Sequence, residues 1–342
     1  MIGSVGSRAA FVLASAIAAL PASGSDDPGG WLERMSYSLE YLNYEGTLIQ
    51  LQGTDAAVMR IVHRVENGVR TERITAMDEV GREIIRRGDE VTCILPDQQA
   101  VLVGIRSEER WGTSPLREQL AGDVRFDSRY YRLALATGGK LVGRDTRLVT
   151  VRPTDSYRYG YRVWLDHATA IPLKVQIAGD DGVVVEQLLF ADISLPERIP
   201  ASAVAPSRII DSYTWQRPPI RAVPPSGTGP AVAVDPGAWR VEVVPPGFSL
   251  RAVRSQRAEG TALPMEHLVY SDGVASVSVF VEAGVAAAEQ GVGPSRMGAA
   301  NAYTTMTGGF LITAVGEVPV RTVETMALSA RPAVRPAASP GR

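Results

Sequence analysis

Few side chains in this 342-residue chain could do acid–base or metal chemistry, and they are scattered. The three histidines, His63, His167 and His267, lie far apart, with no HxH or HxxxH spacing to bring two imidazoles onto one ion. His63 falls on the apolar side of an alternating run and reads as a satisfied structural histidine. The one cysteine, Cys93, sits beside Ile94 and Leu95 in a strand-like run and reads as an inert buried thiol. A lone cysteine permits neither a disulfide framework nor a cysteine-based metal cluster. Glu108-Glu109 and Asp180-Asp181 pair acids in turns, without a neighbour that would split their pKa values into an acid and a base. GxSxG, P-loop and GxGxxG patterns are absent. The residues therefore point away from an enzyme: no catalytic residue, no metal site and no cofactor is expected.

Binding chemistry is better represented. Of the 35 cationic residues only Lys140 and Lys174 are lysines. An arginine fork grips phosphate or carboxylate with two hydrogen bonds, so Arg60, Arg64, Arg70 and Arg73 are candidate contacts for lipid head groups. A solvated strand face and a genomic base bias account for the same residues, and both readings stand. Leu48, Met59, Ile61, Val163, Leu165 and Val175 can line a cavity for acyl chains or close into an ordinary core. Trp215, Trp239 and Phe248 are bulky groups near a Pro-rich stretch; they can pack two units together or meet a partner. The formal net charge of −2 supplies no bulk field for nucleic acid, so that partner class is not expected.

These residues need elements to position them. Trp31, Met35, Leu39 and Leu42 share one stripe of a short amphipathic helix over 31–42. A meander follows to Val103, punctuated by turn signals such as Glu66-Asn67-Gly68, where an Asn-Gly accepts positive φ at both residues. In one strand Met59, Ile61, His63 and Val65 share a face, while Arg60 and Arg64 fall on the other, arginine-rich face, which can meet water. Ser114–Ala121 and Asp127–Ala136 read as helices, the second ended by Gly138-Gly139. Strands resume at Leu141–Val151, Gly160–Leu165, Ile171–Ile177 and Val183–Ile193. A single large curved antiparallel sheet with helices across its concave face fits this order, an α+β class.

Pro196 to Gly237 is dense in proline and small residues and reads as a semi-rigid linker, with only Ile209–Trp215 able to act as a strand or anchor. A smaller α+β unit follows over 238–330. It has hairpins across Ser271-Asp272-Gly273 and Gly308-Gly309, and a closing helix carrying Val320, Val323, Met326 and Ala327. The tail, 331–342, is rich in Pro and Ala and is expected to be disordered. At the other end, Arg8, the apolar run Ala9–Leu20, Pro21 and the small residues Ala22-Ser23-Gly24 read as a secretory leader cleaved near Gly24, which puts the mature chain, 25 onward, in the periplasm.

The runs LNYEGTLIQLQG and GVRTERITAMDEVGREIIRRGDEVTCILPDQQAVLV resemble the periplasmic RseB/MucB family of sigma-E regulatory proteins, as do VYSDGVASVSVFVE and GAANAYTTMTGGFLITAVGEVP near the far end. The likeness runs in the same order over nearly all the chain after the leader. It implies that residues 25–195 form a half-barrel domain similar to the lipoprotein carriers LolA and LolB. It also implies that the protein binds the periplasmic domain of a single-pass anti-sigma factor of the RseA/MucA type and shields it from regulated proteolysis. Lipid A or a lipopolysaccharide fragment, bound in the first domain, would release that partner. A lipid or lipoprotein carrier of the LolA/LolB type is the alternative, and self-association into a homo-oligomer stays open.

Overall fold

Asp27 starts the first element. Its carboxylate accepts the Gly30 amide at 3.0 Å and Pro28 occupies the first turn, so helix α1 (Pro28–Tyr41) begins with an orphan donor satisfied. In the computed structural model of the protein, which describes residues 27–105, 126–216, 238–257, 264–283 and 291–333, α1 buries Trp31, Leu32, Met35 and Leu39 against a sheet. Each such side chain contributes about 1.5–3 kcal/mol of transfer free energy. The predicted leader and the Ser114–Ala121 helix lie outside the described residues. Among those residues no helix is long and apolar enough to cross a membrane.

The chain next runs back and forth through β1 (Tyr44–Gln52), β2 (Asp55–Glu66), β3 (Val69–Ala76), β4 (Glu83–Arg87), β5 (Glu90–Leu95) and β6 (Ala100–Ile105). Asn67 and Gly68 take φ of 51° and 75° in the β2–β3 turn, as that dipeptide predicts. A second meander comprises β7 (Tyr131–Leu141), β8 (Arg144–Pro153), β9 (Gly160–Asp166), β10 (Pro172–Ala178) and β11 (Val184–Ser194). The two meanders join where β1 pairs with β11, from Glu45 opposite Ser194 to Gln52 opposite Glu186. With β12 (Thr214–Gln216) the result is one open sheet of twelve strands in the order β12-β6-β5-β4-β3-β2-β1-β11-β10-β9-β8-β7. Register shifts at Thr47/Leu48, Thr137/Gly139, Pro172/Lys174 and Ile177/Ala178 insert bulges, which bend strands and let the sheet curve around α1. This is the large curved antiparallel sheet expected from the sequence.

Three expectations are corrected. Asp127–Ala136 is not a helix. Asp127 caps a tight turn, its carbonyl accepting the Tyr130 and Tyr131 amides at 2.9 Å, and Tyr131 then opens β7. Gly138 does not end a helix; it lets β7 pass its neighbours, since a Cβ there would lie 2.3 Å from Thr146 Oγ1 and 2.9 Å from the Trp164 ring. Leu141 belongs to β7 rather than to the next strand, because Val142 and Gly143, with φ of 41° and 78°, make a hairpin turn first.

The third correction concerns the Pro-rich stretch and the arginine-rich face. Residues 196–208 run as a strap across the side of the sheet opposite α1. Ile199 and Val204 pack on Val62 of β2. Arg64 donates to the Ile199 carbonyl at 2.8 Å, Arg73 to the Ala205 carbonyl at 2.7 Å, and Glu83 accepts the Ser207 amide and hydroxyl. The strap then lays β12 parallel to β6. That part of the outer face is covered, not open to water.

The second unit has its own core. Strands β14 (Ser249–Arg257), β15 (Pro264–Ser271), β16 (Ser276–Ala283), β17 (Gly293–Met297), β18 (Ala300–Thr307) and β19 (Phe310–Gly316) form a six-stranded sheet in the order β14-β15-β16-β19-β18-β17. Helix α2 (Val320–Leu328) buries Val323, Met326 and Ala327 on it, as their spacing predicts. A two-stranded ladder of β13 (Trp239–Val241) and β20 (Ala330–Pro332) ties the unit's ends together, so order continues through Pro332 into the predicted tail.

Candidate functional site: an apolar inner face abutted by the second unit

Alternation sends every second side chain of the large sheet toward α1. Leu48, Ile61, Val163, Leu165 and Val175 all point there, each fully buried, and Met59 lies half-buried at the margin of the same cluster. Cross-strand register makes the wall continuous: Val149 faces Val163, Val163 faces Val175, and Val175 faces Leu188. All six predicted lining residues therefore share one apolar surface and belong to the same cluster as the buried residues of α1.

The four predicted head-group arginines do not share it. Only Arg70 is on the α1 side, where it pairs with Glu40 at 3.0 Å. Arg60, Arg64 and Arg73 alternate with inward residues and face outward. Arg60 is held by Glu45 at 3.3 Å and Asp192 at 3.1 Å, Arg64 by Glu66 and the strap, and Arg73 by the strap. The inner face instead carries a buried polar group that propensity arguments pass over. His63 stacks on Tyr44 at 4.6 Å and its Nδ1 lies 2.9 Å from the Leu42 carbonyl, beside the ion pair of Arg86 with Glu72. His63 is thus a satisfied structural histidine.

At one end the inner face meets the second unit, and the contact centres on a buried cation. The Arg158 guanidinium, in the β8–β9 loop, is fully buried. Its Nε lies 3.2 Å from the Asp272 carboxylate, in the β15–β16 turn, and its Nη1 lies 3.4 Å from Asp155. It donates to the Pro246 carbonyl. Around it stand the rings of Tyr130, Phe248 and Tyr131, with centroids 4.7, 5.1 and 5.5 Å away. The Tyr131 hydroxyl donates to Asp272 at 2.8 Å; burial first, then that carboxylate, pushes its pKa far above the ordinary phenol range. Gly247 has a φ of 86°, and a Cβ there would sit 2.5 Å from the Tyr130 ring, so only glycine lets the chain pass so close.

Further contacts extend the junction. Asn301 donates to the Tyr159 hydroxyl at 2.9 Å and to the Val318 carbonyl at 2.7 Å. Thr322 donates to the Tyr157 carbonyl at 2.7 Å. The Ala299 amide, in the β17–β18 turn, donates to Glu186 at 3.3 Å, and the Ala299 side chain belongs to the same apolar cluster as Leu48 and Ile61. The second unit thus contributes to the wall itself.

Of the three bulky residues expected at this junction, Phe248 is there. Trp239 is in the core of the second unit, edge-on to Phe310 at 4.9 Å, and Trp215 is 53% exposed on β12 at the far edge of the large sheet. Asp272 was legible only as a turn residue and Arg158 not at all, because an ion pair across two units belongs to no periodic pattern; the only local signal is one arginine among the tyrosines of SYRYGY.

Comparison with known proteins gives a consistent result. The model of the MucB/RseB N-terminal domain matches residues 27–208, and that of the MucB/RseB C-terminal domain matches residues 234–331. The sigma factor AlgU regulatory protein MucB of Pseudomonas aeruginosa is 30% identical over 334 residues, covering 94% of this chain and 96% of that protein. The sigma-E factor regulatory protein RseB of Escherichia coli K12 is 24% identical, covering 93% and 94%. A solved complex of Pseudomonas aeruginosa MucA and MucB is similar at 26% identity and a TM-score of 0.66, over 90% of this chain and 100% of that one. A crystal structure of MucB in complex with MucA(peri) gives the same values.

Proposed function

The chain belongs to the MucB/RseB family, and from that premise we propose that it is a periplasmic, non-catalytic negative regulator of an envelope-stress sigma factor. It binds the periplasmic domain of a membrane-anchored anti-sigma factor and shields that domain from regulated proteolysis. Lipid A or a lipopolysaccharide fragment on the inner face of the first unit releases it. The observation that carries the partner assignment is the likeness, across both units, to a MucB that was solved with MucA.

The inner wall supports the lipid half of the proposal: six apolar residues share a surface whose end is shaped by the second unit. A lipid acts as a switch only if it prefers the partner-free form, because a ligand with equal affinity for both forms shifts nothing. A wall that includes Ala299 from the second unit offers a route, since anything that spreads it works against the junction. A carrier of lipids or lipoproteins would need only the first unit, whereas here buried charges bind the second into place.

A pull-down from detergent-solubilised membranes with the tagged mature chain tests this. The regulator returns one single-pass anti-sigma factor. Recovery of assorted lipoproteins, without that factor, would establish the carrier instead.

A further inference from the structure

The outer face of the large sheet is not uniform. Over β2–β4 it is covered by the strap, and its arginines are held by carboxylates and carbonyls. Over β7–β10 it carries another set of cations. Arg132 and Arg152 are exposed and stand directly opposite each other on β7 and β8. Like charges in that position repel and destabilise a ladder. Arg162 of β9 faces Thr150, two residues from Arg152, and Lys174 of β10 faces Trp164, two residues from Arg162. The four cations thus form a diagonal line over four strands, roughly 14 Å across at the usual strand spacing. All four point away from Val149, Val163 and Val175. None is ion-paired among the described residues; the carboxylates of the neighbouring strands, Asp145 and Asp166, serve Lys140 and Arg144. Trp164 lies within the line, with the Lys174 ammonium 4.6 Å from its ring centroid.

We propose that this outer face of β7–β10 is a docking surface for an anionic phospholipid bilayer. A chain of net charge −2 keeps four unneutralised cations on one outward face, two of them in a repulsive pair, and a negative surface would relieve that repulsion. The face belongs to the outer side of a curved sheet, so it offers its charges to a broad surface and does not enclose a small molecule. Tryptophan beside cations is the composition that settles at the head-group level of a membrane. Docking would hold the inner face and the junction away from the bilayer, open to other ligands.

Co-sedimentation of the full chain with vesicles tests the proposal. It should bind vesicles of equal parts phosphatidylglycerol and phosphatidylcholine and not pure phosphatidylcholine, and binding should fall as salt is raised. Each neutralised cation should cost about fivefold in affinity, so R152Q/R162Q should bind about twentyfold or more weakly. The same double variant relieves the repulsive pair and should melt no lower than the parent, while R162K should keep its binding. Equal binding to both vesicles, or anionic binding that survives salt and R152Q/R162Q, would place the lipid on the α1 side and overturn the proposal. Binding to polyglutamate but to neither vesicle would overturn it as well, in favour of an acidic protein partner.

Discussion

Arg158 shows how much one residue can decide. Two charges, Arg158 and Asp272, are withdrawn from water between the units, and their mutual attraction, the Pro246 carbonyl, the Tyr131 hydroxyl and three aromatic rings offset that loss. Replacing both charges with apolar groups can be nearly neutral, whereas removing one leaves the other buried and uncompensated. R158M should therefore cost about 3–5 kcal/mol of stability, while R158M/D272N, which removes the second charge and keeps an acceptor for the Val274 and Ala275 amides, should recover most of it. Denaturant melts of the two variants read this directly; equal losses would mean that the pair is not coupled. No pattern in the sequence marks these residues, because an ion pair across two units depends on docking, which no local period encodes. The apolar wall differs: alternation alone placed Leu48, Ile61, Val163, Leu165 and Val175 on one face.

At the scale of elements, what could be read in advance follows from what sets each element. Hairpins at Asn67-Gly68 and Gly308-Gly309, and the helix spaced by Val323, Met326 and Ala327, are local and came out as expected, although Val320 at its start is exposed and not packed. Strand β7 was missed because YRLALATGGKL is rich in helix formers, and its pairing with β8 overrides that preference. The strap was missed for another reason. Prolines forbid a ladder, but side chains that donate to strap carbonyls need none. One strand group carries a pH response. His267 on β15 stacks on Phe280 of β16 at 4.2 Å and faces Arg254 of β14. Burial first, then Arg254, lowers its pKa to about 4 from 6.5. The unfolded chain takes up this proton as pH falls below 6.5 and the folded unit only near 4, so the second unit keeps this stability above 6.5 and loses it progressively down to about 4. Thermal melts of the parent between those values should fall more steeply with acid than those of H267Q; parallel curves would contradict the assignment.

For the whole molecule, the large sheet, the strap and the second unit make one arrangement. The strap leaves β11 on the outer side and ends at the β12 edge, and the chain then returns to build a unit that abuts the inner face at one end of the strands, from Tyr131 at the start of β7 to Glu186 of β11. A partner that touches both units would sense anything that changes their docking, and a hydrocarbon on the wall beside Ala299 would do so. The most direct test is the affinity of residues 25–342 for the periplasmic fragment of a MucA-type anti-sigma factor, titrated with lipid A. The dissociation constant should rise with lipid and level off at its lipid-free value multiplied by the ratio of the lipid's affinities for the free and partner-bound forms. An unchanged dissociation constant at saturating lipid would contradict it.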